Sequence, residues 1–431
     1  MSQIIKDLTK EITIREYGLL VKGGNSRDIG CSSISASAFE WLLINGQSIS
    51  EKGRELVRIK RQGKSIALQV VNFVGVLDTP CGTRIEILPK VATNDEDPEL
   101  ARKTLLKMLS VVEKLKLEQF HESSLKVVKQ PLFEILITQF LQATSRLIKR
   151  GLRSQYQRIE RESSFLKGQL LTAKQIRQRP GRQHYFQVSH DIFIANRAEN
   201  RLLHSALAQV LKWTKSSNNQ RLARELLFVF HDIEKSTDYK SDFRKWSKDR
   251  TLAHYRDIKP WCELILSQQS PITMSGASNG VSFLFPMEVL FERYVAAKLK
   301  RKMDKPLFLS EQVHTEALTT HKGNDCFKLR PDIVVYNNKT IVSVMDTKWK
   351  VLNQEPGNTN YNLSQSDMYQ LFAYGEKYMN GEGELYLIYP KHEKFDTPLD
   401  YFDYKPGLRL NVVPYDLVSD ECEIRLDAYP S

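Results

Sequence analysis

Cysteine is scarce in this chain: Cys31, Cys81, Cys262, Cys326 and Cys422 are the only five in 431 residues, and no two stand in C-x-x-C spacing. An odd, scattered set argues against a disulfide framework and a structural zinc site, and leads us to expect a reducing, cytoplasmic setting. Long apolar runs are missing too. No segment approaches the roughly eighteen apolar residues of a membrane span, and Met1-Ser2-Gln3-Ile4-Ile5-Lys6-Asp7 lacks the apolar stretch of a signal peptide. There is no G-x-x-x-x-G-K-[ST] phosphate loop, so nucleotide hydrolysis by this chain alone is not expected, and no H-E-x-x-H of a zinc protease. Internal repeats and low-complexity tracts are absent. Acidic residues are the minority charge, 51 against 63 lysines and arginines, and the net +12 favours an anionic partner, nucleic acid ahead of a membrane surface. With 41% hydrophobic and 26% charged residues the composition is globular, and the length suggests two or three domains.

What is present concentrates near residue 340. Arg330-Pro331-Asp332 leads into the β-branched run Ile333-Val334-Val335, and a second such run, residues 341–344, ends in Asp346-Thr347-Lys348. The polar Tyr336-Asn337-Asn338-Lys339-Thr340 between them reads as the turn of an antiparallel hairpin. Folding about residues 338–339 sets Asp332 opposite Asp346 to within one position. Side chains alternate along a strand, so Asp346 and Lys348 share a face and Thr347 is expected to point away. Two carboxylates suit Mg²⁺, a hard cation that prefers oxygen ligands, and a nearby ammonium can position a water or offset developing negative charge. Either fragment alone is more simply a turn aspartate or solvated strand-end charge; their combination at the end of one hairpin is what points to a metal-dependent site.

Around this centre the chain reads as a multidomain α+β or α/β protein. Residues 1–95 are strand-rich, with a helix at 35–43 and strands at 55–59, 66–76 and 83–88, the last two separated by the turn signal Asp78-Thr79-Pro80-Cys81-Gly82. A small β-barrel or half-open sheet is expected there, and nothing in it resembles a catalytic constellation. Residues 96–268 read as mainly helical, with apolar spacing of three and four at 99–112, 131–149, 195–214, 220–232 and 261–266 and a loop at Ser216-Ser217-Asn218-Asn219. Between Arg146 and Arg182 eleven lysines and arginines face only Glu160 and Glu162, with Tyr156 and Phe165 interleaved and Tyr185 and Phe186 just beyond. That pattern suits DNA backbone contact, and a solvated face explains it almost as well. The breaker-rich residues 269–280 are the candidate linker.

In the third region, 281–431, a helix is expected from Phe285-Pro286-Met287-Glu288 to Lys302. Glu288 and Glu292 share a face, and Glu292 is the better placed to reach the metal site. Strands are expected at 308–315 and 327–329, a polar loop at 353–362 able to close over nucleic acid, and a helix capped by Ser366 that carries Gln370 and Tyr374 in Q-x-x-x-Y spacing. Strands at 384–389, 409–413 and 421–426 would complete a mixed sheet flanked by helices.

The order of glutamate-bearing helix, P-D, D-x-K and Q-x-x-x-Y resembles the PD-(D/E)xK nuclease superfamily. Wider stretches resemble the McrC family of McrBC-type modification-dependent restriction systems: Asn72-Phe73-Val74-Gly75-Val76, Ile85 to Lys90, Leu166-Lys167-Gly168-Gln169-Leu170, Asn196 to Asn200, and Phe283 to Met287 with Phe291-Glu292. The resemblance implies a Mg²⁺-dependent endodeoxyribonuclease in which Asp332 and Asp346 bind the metal, Lys348 assists the attacking water, and Gln370, Tyr374 and Glu292 support them. It implies a hexameric McrB-like AAA+ GTPase as partner, engaged by the N-terminal region 1–95, GTP bound by that partner and not by this chain, and double-stranded, 5-methylcytosine-bearing DNA as substrate, with no membrane role. The alternatives are a stand-alone repair or recombination nuclease of the same superfamily and a non-catalytic, DNA-binding GTPase activator.

Overall fold

The computed structural model describes residues 11–23, 30–46, 55–62, 65–90, 97–117, 130–182, 184–247, 249–266, 282–354 and 360–424. The linker read at 269–280 lies outside them, as do residues 355–359 of the polar loop. The described chain divides into two compact units. One joins the residues up to Leu115 with those from Ser282 onward, and the other runs from Phe133 to Leu266.

In the first unit the N-terminal segment supplies β1 (Glu11–Arg15), β2 (Leu19–Lys22), β3 (Cys31–Ile34), α1 (Ala36–Asn45), β4 (Val57–Gln62), β5 (Ser65–Val70), β6 (Phe73–Asp78), β7 (Arg84–Leu88) and α2 (Pro98–Val112). Ser35 caps α1 by accepting the amide of Ala38, and Asp97 caps α2 through the amide of Glu99. The single strand expected at 66–76 is two strands. Asn72 adopts a left-handed φ of 62°, turning the chain between β5 and β6 and sending them into different sheets. A continuous apolar run concealed that break, because both strands are buried on both faces near it. The sheets, in order β3-β2-β5-β4 and β1-β7-β6 with a fourth strand beside β6, do not close into a barrel. They sandwich a core of Ile14, Leu20, Phe39, Leu68, Phe73 and Ile87.

The fourth strand of the second sheet, β11 (Ser282–Pro286), comes from the far end of the chain, pairing antiparallel with β6 so that Leu284 faces Gly75. Segments 1–95 and 281–431, read from the sequence as separate, therefore share one compact unit. Gly75 explains itself here: its φ is +125°, and a Cβ on it would lie 1.9 Å from the carbonyl oxygen of Phe283. The chain then enters α9 (Met287–Lys302), whose first amide donates to Asn72 O at 2.9 Å.

The second unit carries α3 (Leu132–Lys149), β8 (Gln155–Ser163), β9 (Gln169–Leu170), α4 (Thr172–Ile176), β10 (Phe186–Ile194), α5 (Ala198–Trp213), α6 (Ser217–Val229), α7 (Tyr239–Lys245) and α8 (Lys259–Leu266). Residues 217–219 are the first turn of α6 and not a loop, with Ser216 at the cap position. The basic stretch is less helical than expected, since most of it forms the antiparallel sheet β8-β10-β9. Tyr156 and Phe193 pair across that sheet at 5.0 Å between ring centroids while remaining exposed. Two of the resembling segments prove structural. Gly168 lets the β9 strand approach within contact of Ser189 O, and buried Asn200 bonds the carbonyls of Arg153 and Ala195 and accepts the Tyr255 hydroxyl.

The rest of the first unit is a mixed sheet in the order β12 (Leu307–Glu311), β15 (Ile333–Asn337), β16 (Thr340–Thr347), β17 (Gly383–Pro390), β19 (Leu408–Asp416), β18 (Phe402–Lys405), with β20 (Glu421–Cys422) on β19. A separate hairpin, β13 (Ala317–His321) and β14 (Asn324–Lys328), precedes it. The 333–347 hairpin is antiparallel as read, while β16-β17 and β17-β19 are parallel. Helix α10 (Gln365–Met379) crosses this sheet and buries Leu371, Tyr374, Tyr378 and Met379 against Val334, Val344, Leu385 and Leu410. Its cap is Ser364, two residues before the Ser366 expected, and the two hydroxyls bond each other at 2.5 Å. Gly375 brings the helix close: a Cβ there would meet Leu408 at 2.8 Å. Among the described residues no helix is long and apolar enough to cross a membrane.

Candidate active site

The hairpin register places Ile333 opposite Met345, so the next pair outward is Asp332 and Asp346. Both strands are β-branched and buried on both faces next to the acids, and their pairing carries the two aspartates to the same end of the hairpin. The turn at Asn338, with φ at 56°, completes the alignment. Past β16 the chain stays in line, Lys348 N donating to Ile388 O at 2.9 Å, so Lys348 projects on the same face as Asp346.

Asp332 is held from an unexpected direction. Its Oδ2 accepts both the amide (2.8 Å) and the hydroxyl (2.9 Å) of Thr347. The hydroxyl of the residue expected to point away therefore reaches back to the first aspartate. Burial and the nearby charge of Glu292 push the Asp332 carboxyl up to about 6, against the lowering effect of the Thr347 bonds and Lys348. Asp346, 1% exposed, is pushed up to about 7 by burial and then by Asp332, with Lys348 opposing. Lys348 Nζ lies 2.5 Å from Asp346 Oδ2. Burial alone would lower the Lys348 ammonium pKa, but Asp346, Asp332 and Asp367 more than offset it, so the net shift is upward.

Gln370 and Tyr374 do come to this centre, with a sharper role than the sequence offered. Lys348 Nζ donates to Gln370 Oε1 at 3.2 Å, Gln370 Nε2 donates to the Tyr374 hydroxyl at 2.6 Å, and that hydroxyl donates to Arg330 O at 2.9 Å. A lysine can only donate, so the amide must turn its oxygen towards Lys348 and its NH₂ towards Tyr374. The chain of bonds thus orients the lysine, and it ties α10 to the residue two before Asp332.

Glu292 is half-buried on α9, where Phe291, Tyr294 and Val295 are fully buried and anchor its turn. Its Oε1 accepts Gln312 Nε2 at 2.9 Å, and Gln312 N in turn donates to Asp332 O at 3.0 Å. Burial raises its pKa, Gln312 opposes, and the charge of Asp346 raises it further, which puts Glu292 in the same electrostatic group as the two aspartates. Glu288, one turn earlier, acts instead on Glu16. All six residues singled out from the sequence are therefore brought together. Thr347, Gln312 and Asp367 were missed; only Asp367 carried a signal, standing three residues before Gln370 on the same helix face.

Three carboxylates that raise one another's pKa form a site short of positive charge. The donors are all oxygen, suited to a hard cation. Asp332 keeps Oδ1 available because Thr347 occupies only Oδ2. Among the described residues no three His, Cys, Asp or Glu side chains are placed to hold a metal ion together. A pair of carboxylates completed by waters and phosphate oxygens fits Mg²⁺, which retains several waters, better than an ion needing a full protein cage.

A family model described as "McrBC 5-methylcytosine restriction system component" matches residues 68–390. Among solved structures, one described as a refined half-complex from a tetradecameric assembly of Thermococcus gammatolerans McrB AAA+ hexamers with bound McrC matches at 19% identity and a TM-score of 0.72, covering 97% of each chain. A cryo-EM structure of the Thermococcus gammatolerans McrBC complex matches at 21% identity and a TM-score of 0.53, covering 69% of this chain and 89% of that one. At these identities the likeness is one of fold. No curated protein matches.

Proposed function

As this chain belongs to the family of McrBC 5-methylcytosine restriction system components, we propose that it is the DNA-cutting subunit, a Mg²⁺-dependent endonuclease that works with an McrB-like AAA+ GTPase ring on methylated double-stranded DNA. The observation that carries this reading is the convergence of Asp332, Asp346 and Lys348 at the end of one hairpin, with Gln370 and Tyr374 fixing the lysine. Asp332 and Asp346 are the residues that would hold Mg²⁺, and the bound ion would polarise the scissile phosphate and acidify a water.

The protein's own groups divide the remaining work. In the metal-free site Asp346, Asp332 and Asp367 hold the Lys348 pKa up and so favour its ammonium form. Its part is to stabilise the negative charge that develops on the phosphate. Glu292 contributes charge at the rim through α9. The basic, aromatic-bearing face of β8 and β10, with Tyr156 and Phe193 exposed, is assigned to sequence-independent DNA contact, and the N-terminal sheets to the GTPase.

The test is co-purification with a GTPase encoded beside this chain, followed by cleavage of methylated and unmethylated DNA with GTP and Mg²⁺. Asp346→Ala is expected to abolish cleavage and leave GTPase stimulation intact. Retained cleavage would sink the assignment. Cutting of DNA with Mg²⁺ alone, indifferent to GTPase and methylation, would mark a stand-alone nuclease instead.

A further inference from the structure

Lys348 lies within ion-pair reach of two carboxylates, Asp346 and Asp367, and the second has no part in the motif that resembles a nuclease. Asp367 lies in the first turn of α10, 5% exposed. Its Oδ1 is 4.0 Å from Lys348 Nζ, beyond the 2.5 Å contact that the ammonium makes with Asp346. Its Oδ2 accepts Lys350 Nζ at 3.1 Å and the buried Tyr389 hydroxyl at 3.4 Å. Asp367, Gln370 and Tyr374 follow at spacings of three and four, so one stripe of α10 faces the end of β16.

The contact of Lys348 with Asp346 creates a conflict. At 2.5 Å the ammonium occupies Asp346 Oδ2, an oxygen that a cation held by Asp332 and Asp346 would need. Moving this half-buried ammonium off Asp346, the first of the carboxylates that compensate its charge, is unfavourable unless another carboxylate takes over the contact. Gln370 offers a neutral acceptor and cannot replace a carboxylate. Asp367 can, and Tyr389 with Lys350 fix its position while Lys350 balances its charge.

We propose that Asp367 is a positioning residue, the second seat for Lys348, which lets the ammonium swing off Asp346 and frees that carboxylate for a divalent cation. The proposal rests on the reading of Asp332 and Asp346 as the metal-binding pair. A bland alternative exists: an acid in the first turn of a helix offsets the helix dipole and does nothing more. The two differ in whether the effect of Asp367 passes through Lys348.

Mg²⁺ alone is titrated calorimetrically into the full-length wild-type chain and into Asp367→Asn, Lys348→Met and the double variant. Asp367→Asn is expected to weaken Mg²⁺ binding about tenfold in the wild-type background and less than about twofold when Lys348 is already methionine, the non-additivity expected of groups acting through one another. Equal weakening in both backgrounds, or none in either, overturns the proposal. Should Asp367→Asn fail to fold, Asp367→Glu enters the same cycle. It keeps the helix-dipole charge but misplaces the carboxylate, so a smaller weakening confined to the Lys348 background is expected, and wild-type affinity overturns it. Mg²⁺ binding unchanged by Asp346→Ala would sink the metal-site reading itself. Binding lost in Asp346→Ala and untouched by Asp367→Asn sinks only the present inference.

Discussion

Replacing Asp346 with asparagine should stabilise the metal-free protein at pH 8 while destroying its proposed function. Asp346 is raised from 3.8 to about 7 by burial and by Asp332. A carboxylate whose folded pKa exceeds its unfolded value holds its proton more tightly in the folded state. Its destabilising effect is therefore absent below pH 4, grows between pH 4 and 7, and is complete above the folded value. At about 1.4 kcal/mol per pKa unit the ceiling is about 4 kcal/mol. Lys348 loses its 2.5 Å partner in the variant, and part of the shift is shared with Asp332. Roughly half the ceiling, about 2 kcal/mol, should remain as net gain. For a unit of this size that corresponds to a rise in Tm of about 5 °C. The assay is thermal unfolding in EDTA at pH 5 and pH 8, wild type beside Asp346→Asn. The gain should be complete at pH 8 and fall to somewhat over a third of that size at pH 5, and added Mg²⁺ should raise the wild-type Tm alone. A variant less stable than wild type at pH 8, or a gain of equal size at both pH values, would refute the reasoning.

Other perturbations test other links. Tyr374→Phe removes the donor to Arg330 O and the acceptor for Gln370 Nε2; single-turnover cleavage should slow about tenfold, on the order of 1.4 kcal/mol, with DNA affinity unchanged in a binding titration. Trp349→Phe deletes the indole N–H that donates to buried Glu16 at 2.7 Å. Glu16 is already raised to about 7, chiefly by burial, so losing its donor raises it further and the loss of about 1–3 kcal/mol should be larger at pH 8 than at pH 5 by denaturant unfolding. Gly75→Ala drives a Cβ into Phe283 O and forces a φ of +125° on an L side chain, so β11 should lose its place and stability fall by roughly 3 kcal/mol or more, read as a lowered unfolding midpoint.

The hairpin was legible because its signal is local. Two β-branched runs around a polar turn specify pairing, and pairing specifies that Asp332 meets Asp346. Helix α10 and its Gln370-Tyr374 stripe were legible for the same reason, since periodicity alone puts them on one face. The start at Ser364 in place of Ser366 shows the usual limit, because two serines this close are equal candidates for the cap position and sequence does not rank them. The break at Asn72 escaped notice because buried strands on either side erase the alternation that would mark an end.

By itself, then, the sequence determined the local pieces of this protein: the acid-rich hairpin end, the order of elements around it, the basic middle and the residue types suited to a hard cation. Only the tertiary structure decided how they act. It turned Thr347 back onto Asp332, made Gln370 and Tyr374 a brace for Lys348, and set Asp367 within 4.0 Å of that lysine. It also put Glu292 in place through β11, a strand completed by partners more than 190 residues away on β6, as the pairing of Ser282 with Leu77 shows. The physical reason is range. Strand alternation and helix period are written within a few residues, whereas a side chain's charge state and hydrogen-bond partners depend on whatever the fold packs beside it.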